Sequence, residues 1–117
     1  MAPALGIIAD DFTGAVMVAG MLEGRGIACP VLFRPDGSAK GAGALVAATR
    51  SRTVAPAEAL AGIAAWHDAL TAAGCRRIAY KACASFDSTP QGNIGPAADL
   101  LADRAGTQPV LMSAGFP

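Results

Sequence analysis

Short apolar runs alternate along the chain with longer segments in which apolar residues recur at helical spacing. Five short runs predict β-strands at residues 5–9, 30–33, 44–48, 77–81 and 109–113. Three longer segments predict α-helices at residues 15–22, at residues 56–73, and from between residues 93 and 96 to residue 105. We expect the first of these helices to end at Gly24 or Gly26.

The helix predicted from residue 56 has the clearest pattern. Pro56 suits the first helical position, and Glu58 lies in the first turn, where a carboxylate favours the helix dipole. One stripe of this helix carries Leu60, Ile63, His67 and Leu70, and Trp66 lies beside that stripe. Because His67 lies on that stripe, we interpret it as a packing residue rather than a ligand or a base.

Strands and helices alternate except between the second and third strands, which follow each other directly. This order predicts an α/β fold, with a mainly parallel sheet and helices on both faces in a three-layer sandwich. A chain of 117 residues is long enough for one small domain with a single core.

The composition argues against several classes of protein. The net charge is zero and no basic cluster occurs, so no nucleic-acid partner is expected. The apolar runs are too short to span a bilayer, and no signal peptide is evident, which favours a cytoplasmic protein with no membrane partner. Three scattered cysteines lack metal-ligand spacing, and no metal site is predicted from them.

Charged residues make up only 15% of the chain, which suggests that part of its surface is covered. We expect either a homo-oligomer or contact with polypeptide outside this sequence. Residues 114–117 have the composition of a loop that leads onward from a strand, so the chain is interpreted as a fragment.

Polar clusters follow three of the predicted strands, at residues 10–14, 49–52 and 81–93. Parallel strands bring their carboxyl ends to one edge of the sheet, where ligands of open α/β folds bind. The three clusters are therefore expected to face one cleft.

Asp10 and Asp11 follow the first strand directly, so their side chains should point to opposite sides. One is expected to face the cleft, where it would accept hydrogen bonds from substrate hydroxyls or hold Mg²⁺, and the other to cap the following helix. The alternative is that both acids are helix caps. Gly14 would let backbone approach a ligand closely at the start of that helix.

The other two clusters combine cations with hydroxyl, amide and carboxylate groups. Arg52 offers a guanidinium that matches a carboxylate or phosphate, although an exposed loop charge is the simpler interpretation. Residues 81–93 add a lysine and several polar groups: Lys81, Asp87, Ser88, Thr89 and Asn93. This set suits a small polyhydroxylated acid. The alternative is a polar turn in which Ser88 or Thr89 caps the third helix.

Two segments resemble signatures of the four-carbon acid sugar kinases. Residues 9–15 read Ala-Asp-Asp-Phe-Thr-Gly-Ala and resemble the opening signature of that family. Residues 81–96 read Lys-Ala-Cys-Ala-Ser-Phe-Asp-Ser-Thr-Pro-Gln-Gly-Asn-Ile-Gly-Pro and resemble its second signature, while Ser51-Arg52 matches a shorter third one. The Cys-x-Ser-Phe variant more closely resembles the 3-oxo-tetronate or related branched-acid group of that family.

The resemblance implies an ATP-dependent kinase that phosphorylates a terminal hydroxyl of threonate, erythronate or a 3-oxo-tetronate-type acid. Residues 1–117 would form part of its amino-terminal sugar-acid-binding domain. The nucleotide-binding domain would be absent from this chain, so ATP and Mg²⁺ would bind mainly through the missing part. No phosphate loop or dinucleotide fingerprint occurs in this sequence, in agreement with that division.

By position, the resemblance implies a substrate site formed by Asp10, Asp11, Thr13, Gly14, Ser51, Arg52, Lys81, Asp87, Ser88, Thr89 and Asn93. The catalytic base is not identified, and the candidates are Asp10, Asp11 and Asp87. Pro90-Gln91 stands where many relatives have Leu-Arg, so no anion contact is assigned there.

Two other functions remain open at this point. Paired acids after the first strand and a lysine at a later strand end also occur in receiver-like regulatory domains, but the third strand here offers no phosphoacceptor aspartate. The other alternative is a non-catalytic, truncated fragment that self-associates.

Overall fold

A computed structural model describes residues 1–36 and 39–113. In those residues the chain forms four strands and three helices, which are β1 (Leu5–Ala9), α1 (Phe12–Glu23), β2 (Val31–Leu32), β3 (Ala44–Ala48), α2 (Pro56–Ala72), β4 (Arg77–Lys81) and α3 (Ile94–Ala105). The four strands form one sheet in the order β2-β3-β1-β4, and every pairing is parallel. The predicted α/β fold with a parallel sheet is confirmed.

Successive residues of the central strands pack against different helices. Ile7 and Ala9 of β1 lie in a core cluster with Ala15 and Ala19 of α1. Ile8, between them, lies in a second cluster with α2 and α3 side chains. The sheet therefore separates α1 from α2 and α3, which gives the predicted three layers. Because β1 and β3 are buried on both faces, their sequences are apolar without alternation.

Glycine lets α2 approach the sheet closely at the second residue of β1. A Cβ atom on Gly6 would lie 2.8 Å from Ile78 Cδ1 and 3.1 Å from Leu70 Cδ1. Leu70 is itself buried near the end of α2, so this space is already filled. A side chain at residue 6 would displace the side chains of Ile78 and Leu70, and Leu70 Cβ, at 3.2 Å, leaves little room for this.

The helices begin and end close to where the sequence predicts them. Helix α2 begins at Pro56 as expected, with Glu58 in its first turn, and it buries Ile63, Trp66 and Leu70. His67 lies partly buried between α2 and α3, where Nδ1 is 3.3 Å from Nη1 of Arg104. Helix α1 begins at Phe12, three residues before its predicted start, because Asp11 caps it.

The prediction of a fifth strand at residues 109–113 is wrong for this structure. These residues adopt no strand, and β4 lies at one edge of the sheet in the described part of the chain. They line an apolar cavity together with parts of α1, β4 and α3. An apolar run shows that a segment is suited to burial but does not identify a backbone partner. The loop predicted at residues 114–117 lies outside the described residues.

The outer face of α1 carries exposed apolar side chains. The large apolar side chains exposed on this helix are Phe12, Val16, Met17 and Met21. Patches of this kind on a protein surface commonly mark contact regions. Of the helices in residues 1–36 and 39–113, none combines the length and apolar character needed to cross a membrane.

Candidate functional site

The three polar clusters meet at the carboxyl edge of the sheet. The strand register places Ala9 of β1 beside Ala48 of β3 and Lys81 of β4, so these strands end at the same level. Contacts then join the segments that follow. Cys83 N donates to Asp10 Oδ2 at 2.9 Å, and Arg52 Nη2 donates to Asp87 Oδ2 at 2.7 Å. The three clusters share one edge of the sheet as predicted, but only part of each cluster lines the cavity at that edge, and their ligand roles stay predictions.

A cavity of about 380 Å³ opens at this edge, on the side of the sheet that carries α2 and α3. Six of the residues predicted from sequence line it, namely Asp10, Arg52, Asp87, Ser88, Thr89 and Asn93. The lining also includes residues that were not predicted, among them Thr53, Val54, Tyr80 and Cys83. We call this space the polar cavity.

Asp10 and Asp11 have the divided roles that their adjacency predicts. Asp11 caps α1, because its Oδ1 accepts a hydrogen bond from Gly14 N at 2.6 Å. Asp10 lines the polar cavity and is only 2% exposed. Its Oδ1 atom is buried and has no hydrogen-bond partner. Burial raises the pKa of Asp10 above its ordinary value, and the bond from Cys83 N opposes that effect.

Asn93 connects two loops beneath the polar cavity. Its Nδ2 donates to the carbonyl oxygens of Ser51 at 2.6 Å and Val54 at 2.9 Å. Its Oδ1 is buried without a partner. Asn93 also occupies the N-cap position of α3, so the alternative in which Ser88 or Thr89 caps this helix is wrong.

Three hydroxyl groups form a chain behind the polar cavity. Thr49 Oγ1 lies 2.7 Å from the carbonyl oxygen of Ala9 and 2.9 Å from Ser51 Oγ. Ser51 Oγ lies 2.8 Å from Tyr80 Oη. Ser51 is 3% exposed and does not line the cavity, so its hydroxyl acts within the protein. Burial raises the pKa of Tyr80, which keeps its phenol protonated.

Arg52 is an exposed cation at the mouth of the polar cavity. Its Nη2 contacts Asp87 Oδ2 and also donates to Ser85 Oγ at 3.2 Å, while Nη1 lies 3.8 Å from Asp11 Oδ2. The hydrogen bond from Arg52 holds the pKa of Asp87 below its ordinary value. Phe86, just before Asp87, has φ of 47°, a left-handed conformation that is uncommon for a large side chain and more frequent at functional sites.

The remaining predicted residues lie on the α1 side of the same edge. Lys81 is paired with Ala9, whose side chain packs under α1, and Lys81 Nζ donates to Ala82 O at 3.1 Å. A Cβ atom on Gly14 would lie 2.9 Å from Lys81 Nζ, so the missing side chain lets the lysine lie against the helix start. Thr13 is exposed in the first turn of α1. Five predicted residues do not line the polar cavity: Asp11, Thr13, Gly14, Ser51 and Lys81.

Sequence reasoning missed Tyr80 because it belongs to a short apolar run. The missing signal was its position relative to β1, since Tyr80 is paired with Ile8, the residue two before Asp10. Residues two apart in a strand share a face, and Tyr80 therefore lies on the same side as Asp10. This register is not visible in the sequence alone.

The donor set does not fit a complete metal site. In the part of the chain that the structure describes, no group of three or more His, Cys, Asp or Glu side chains could hold a metal ion. One oxygen of Asp11 is used in capping and one oxygen of Asp87 accepts from Arg52, while Asp10 keeps a buried oxygen without a partner.

A parallel α/β domain with a polar cavity at its carboxyl edge is typical of small-molecule binding domains. The chain belongs to the family described as the sugar-binding N-terminal domain, whose family model matches residues 5–117.

Similar proteins include the 3-oxo-tetronate kinases of Burkholderia multivorans and Escherichia coli K12. The former is 45% identical over 117 residues, which cover 98% of this chain and 27% of that protein. The latter is 37% identical, over 97% of this chain and 30% of that protein. This chain thus spans between a quarter and a third of the length of these relatives.

Two solved structures share the fold. A Salmonella typhimurium LT2 protein, provisionally named a tRNA synthase, superposes with a TM-score of 0.84 at 34% identity, over 89% of this chain and 26% of that one. The Haemophilus influenzae protein HI1011 has a TM-score of 0.80 at 34% identity, over 86% of this chain and 25% of that one.

Proposed function

We propose that this chain is the substrate-binding part of an ATP-dependent kinase. Its substrate would be a four-carbon acid sugar of the threonate, erythronate or 3-oxo-tetronate type, phosphorylated on a terminal hydroxyl. The observation that carries this proposal is the convergence of three polar strand ends on one cavity. The name of the similar kinases supports the reaction, and the family description supports the sugar ligand.

The polar cavity has the size and chemistry for such a ligand. A volume of about 380 Å³ lies at the small end of the range for small-molecule sites. Asp10, Asn93 and Tyr80 line it with carboxylate, amide and hydroxyl groups, and Arg52 supplies a cation with further N–H groups beyond the one bound to Asp87. Hydroxyl groups and a carboxylate would satisfy these two kinds of group at once.

Asp10 is our proposed base among the three candidate acids. Asp11 is occupied at the start of α1, and the bond from Arg52 makes Asp87 a weaker base. Burial raises the pKa of Asp10, which makes its carboxylate a stronger base, and Asp10 is a lining residue of the polar cavity, where it could accept the proton of a substrate hydroxyl. Activation of the hydroxyl is the chemical step that we assign to this chain.

The nucleotide and Mg²⁺ would bind mainly through polypeptide beyond this chain, which is the part that the longer kinases have in addition. The exposed apolar face of α1 suits contact either with that polypeptide or with a second copy of this chain. Lys81, near the start of α1, would face the transferred phosphate from the α1 side of the edge. A receiver-like domain is less well supported, because β3 is followed by Thr49, whose hydroxyl bonds to Ala9 O.

Isothermal titration calorimetry with threonate and erythronate tests the proposal. We expect binding by the wild-type chain, weakening of about tenfold or more in Arg52→Ala, and no change in Arg104→Ala. Arg104 is a matched control because it pairs with Asp68, on the helices and not at the cavity. The chain alone should not turn over ATP. Absence of binding to any of these acids, or equal weakening in both arginine variants, would contradict the proposal.

A further inference from the structure

Strand β4 has an open outer edge. Among the residues that the structure describes, its only strand neighbour is β1. Lys81 O accepts a hydrogen bond from Asp10 N on the β1 side, and the backbone groups of alternate strand residues point to opposite edges. Ile78 and Tyr80 therefore turn their backbone N–H and C=O groups to the outer edge. Groups of this kind can pair with a further strand.

An apolar cavity of about 730 Å³ lies beside this edge, between the two helix layers. Met17 and Met21 of α1 line it on one side of the sheet, and Leu101 of α3 lines it on the other. Residues 109–113 complete the lining but form no strand. This segment carries three consecutive large apolar side chains that are exposed, and the most exposed is Leu111 at 92%. Their movement into the cavity would remove apolar surface from water.

The handedness of the crossovers shows where a parallel strand after α3 belongs. Helix α2 carries the chain from β3 to β4, towards the open edge, and it lies on the same face of the sheet as α3. The crossover from β1 to β2 runs the opposite way with α1 on the opposite face, which is the same hand. Because crossovers in one sheet keep this hand, a parallel strand after α3 must lie outside β4. The first apolar run after α3 is within residues 109–113.

We propose that the outer edge of β4 is a docking site for residues 109–113, which exchange between their position in the structure and a strand paired parallel to β4. This inference goes beyond the proposed function and does not depend on it. The neighbouring strands begin level with Arg77, so Pro109 would lie beside Arg77 and Leu111 beside Ala79. Proline is tolerated at the first residue of a strand. The docked strand would fill the apolar cavity and end at the edge of the sheet that carries the polar cavity.

The side chains suit the faces that this register gives them. Ala79 is paired with Ile7, which packs against α1, so Leu111 would face the same helix. Val110 would share the face of Ile78, which packs against the cluster formed by α2 and α3. Both positions of the segment would then be covered by a helix, as expected for a strand in a parallel sheet.

A second copy of the chain fits this edge less well. Two copies related by a twofold axis would pair their β4 strands antiparallel. With Ala79 at the centre, that pairing places Arg77 of each copy opposite Lys81 of the other. Like charges directly opposite each other are destabilising, and edge strands that carry them resist pairing with themselves.

Disulfide trapping tests the docking site. Neighbouring strands lie about 4.8 Å apart, within the range that a disulfide spans, so Ala79→Cys with Leu111→Cys should form an intramolecular disulfide. Arg77→Cys with Leu111→Cys is the matched control, because two residues along a strand add about 6–7 Å and exceed that range. Both variants also carry Cys83→Ser, and the other native cysteines are buried. We expect the first pair to oxidise at least about tenfold faster than the control.

Addition of Met112→Asp to the first pair should slow its oxidation about tenfold, because docking would bring a charge into the apolar cavity. Random collisions of a loose segment would not be slowed. Equal oxidation of the two cysteine pairs, or oxidation of neither, would overturn the proposal. A dimer linked through Ala79→Cys would assign the edge to a second copy and overturn it as well. No acid takes part in these measurements, so their failure is distinct from failure of the proposed function.

Discussion

Replacement of Asn93 by alanine should destabilise the fold more than any other change in the loop between β4 and α3. Asn93 is 6% exposed, and its Nδ2 donates to carbonyl oxygens on the segment between β3 and α2. These two bonds tie together two loops that are about 40 residues apart in sequence. Alanine would remove both donors and leave two carbonyl groups without partners in a mostly buried setting.

The magnitude follows from those two carbonyl groups. An unsatisfied buried acceptor costs about 1–3 kcal/mol. The Ser51 bond is buried and the Val54 bond is partly buried, so we place the total loss for Asn93→Ala at about 2–4 kcal/mol. For a domain of this size, that loss corresponds to a fall in melting temperature of about 8–16 °C.

Urea and thermal denaturation followed by circular dichroism would measure this loss. Gln91→Ala is the matched control, because Gln91 is exposed in the same loop and its side chain contacts only the Thr89 hydroxyl among the bonds described. That control should change the free energy of unfolding by less than about 0.5 kcal/mol. If Asn93→Ala were no more destabilising than Gln91→Ala, the two hydrogen bonds of Asn93 would not stabilise the fold as we infer.

Three further predictions concern the acid, the loop and the outer surface. Burial raises the pKa of Asp10, so the stability contributed by this group is fully present below the ordinary pKa of an aspartate and is lost as the pH rises. In urea titrations, Asp10→Asn should therefore gain stability relative to wild type as the pH rises above that ordinary pKa. Gly92→Ala should weaken sugar-acid binding, because a Cβ atom there would collide with Ser88 Oγ. A Cβ atom on Gly95 has no neighbour within 4 Å, so Gly95→Ala is the control and should stabilise α3 by about 0.5–1 kcal/mol. Light scattering of concentrated protein should show self-association that Met17→Lys with Met21→Lys reduces, and a monomeric wild-type chain would contradict it.

The regular elements were predictable where one local signal dominated. Continuous apolar runs identify β1 and β3, because strands buried on both faces need no polar positions. The ends of α2 are also predicted by local signals. Pro56 begins the helix, and Gly74 follows its end with φ of 100°, a conformation that favours glycine. The fifth strand was predicted wrongly because pairing depends on a partner strand that the apolar run itself does not specify.

The candidate site was predictable as an edge of the sheet but not as a cavity. Topology alone brings residues 10–14, 49–52 and 81–93 together. The division of these residues between the two sides of the sheet depends on the register of β1 and β4, which no local pattern reveals. That register places Lys81 on the side of α1 and Tyr80 on the side of the polar cavity. The sequence shows Tyr80 only as part of an apolar run, so its place in the cavity was not predicted.

Gly6 links the packing between β1 and α2 to the shape of the polar cavity. A methyl group at residue 6 would press on the side chains of Ile78 and Leu70, and because Leu70 Cβ is itself only 3.2 Å away, we expect the end of α2 to shift in response. The other end of α2 follows Val54 and Thr53, which line the cavity. We therefore expect a substitution at the far end of β1 to alter the shape of the polar cavity without touching it.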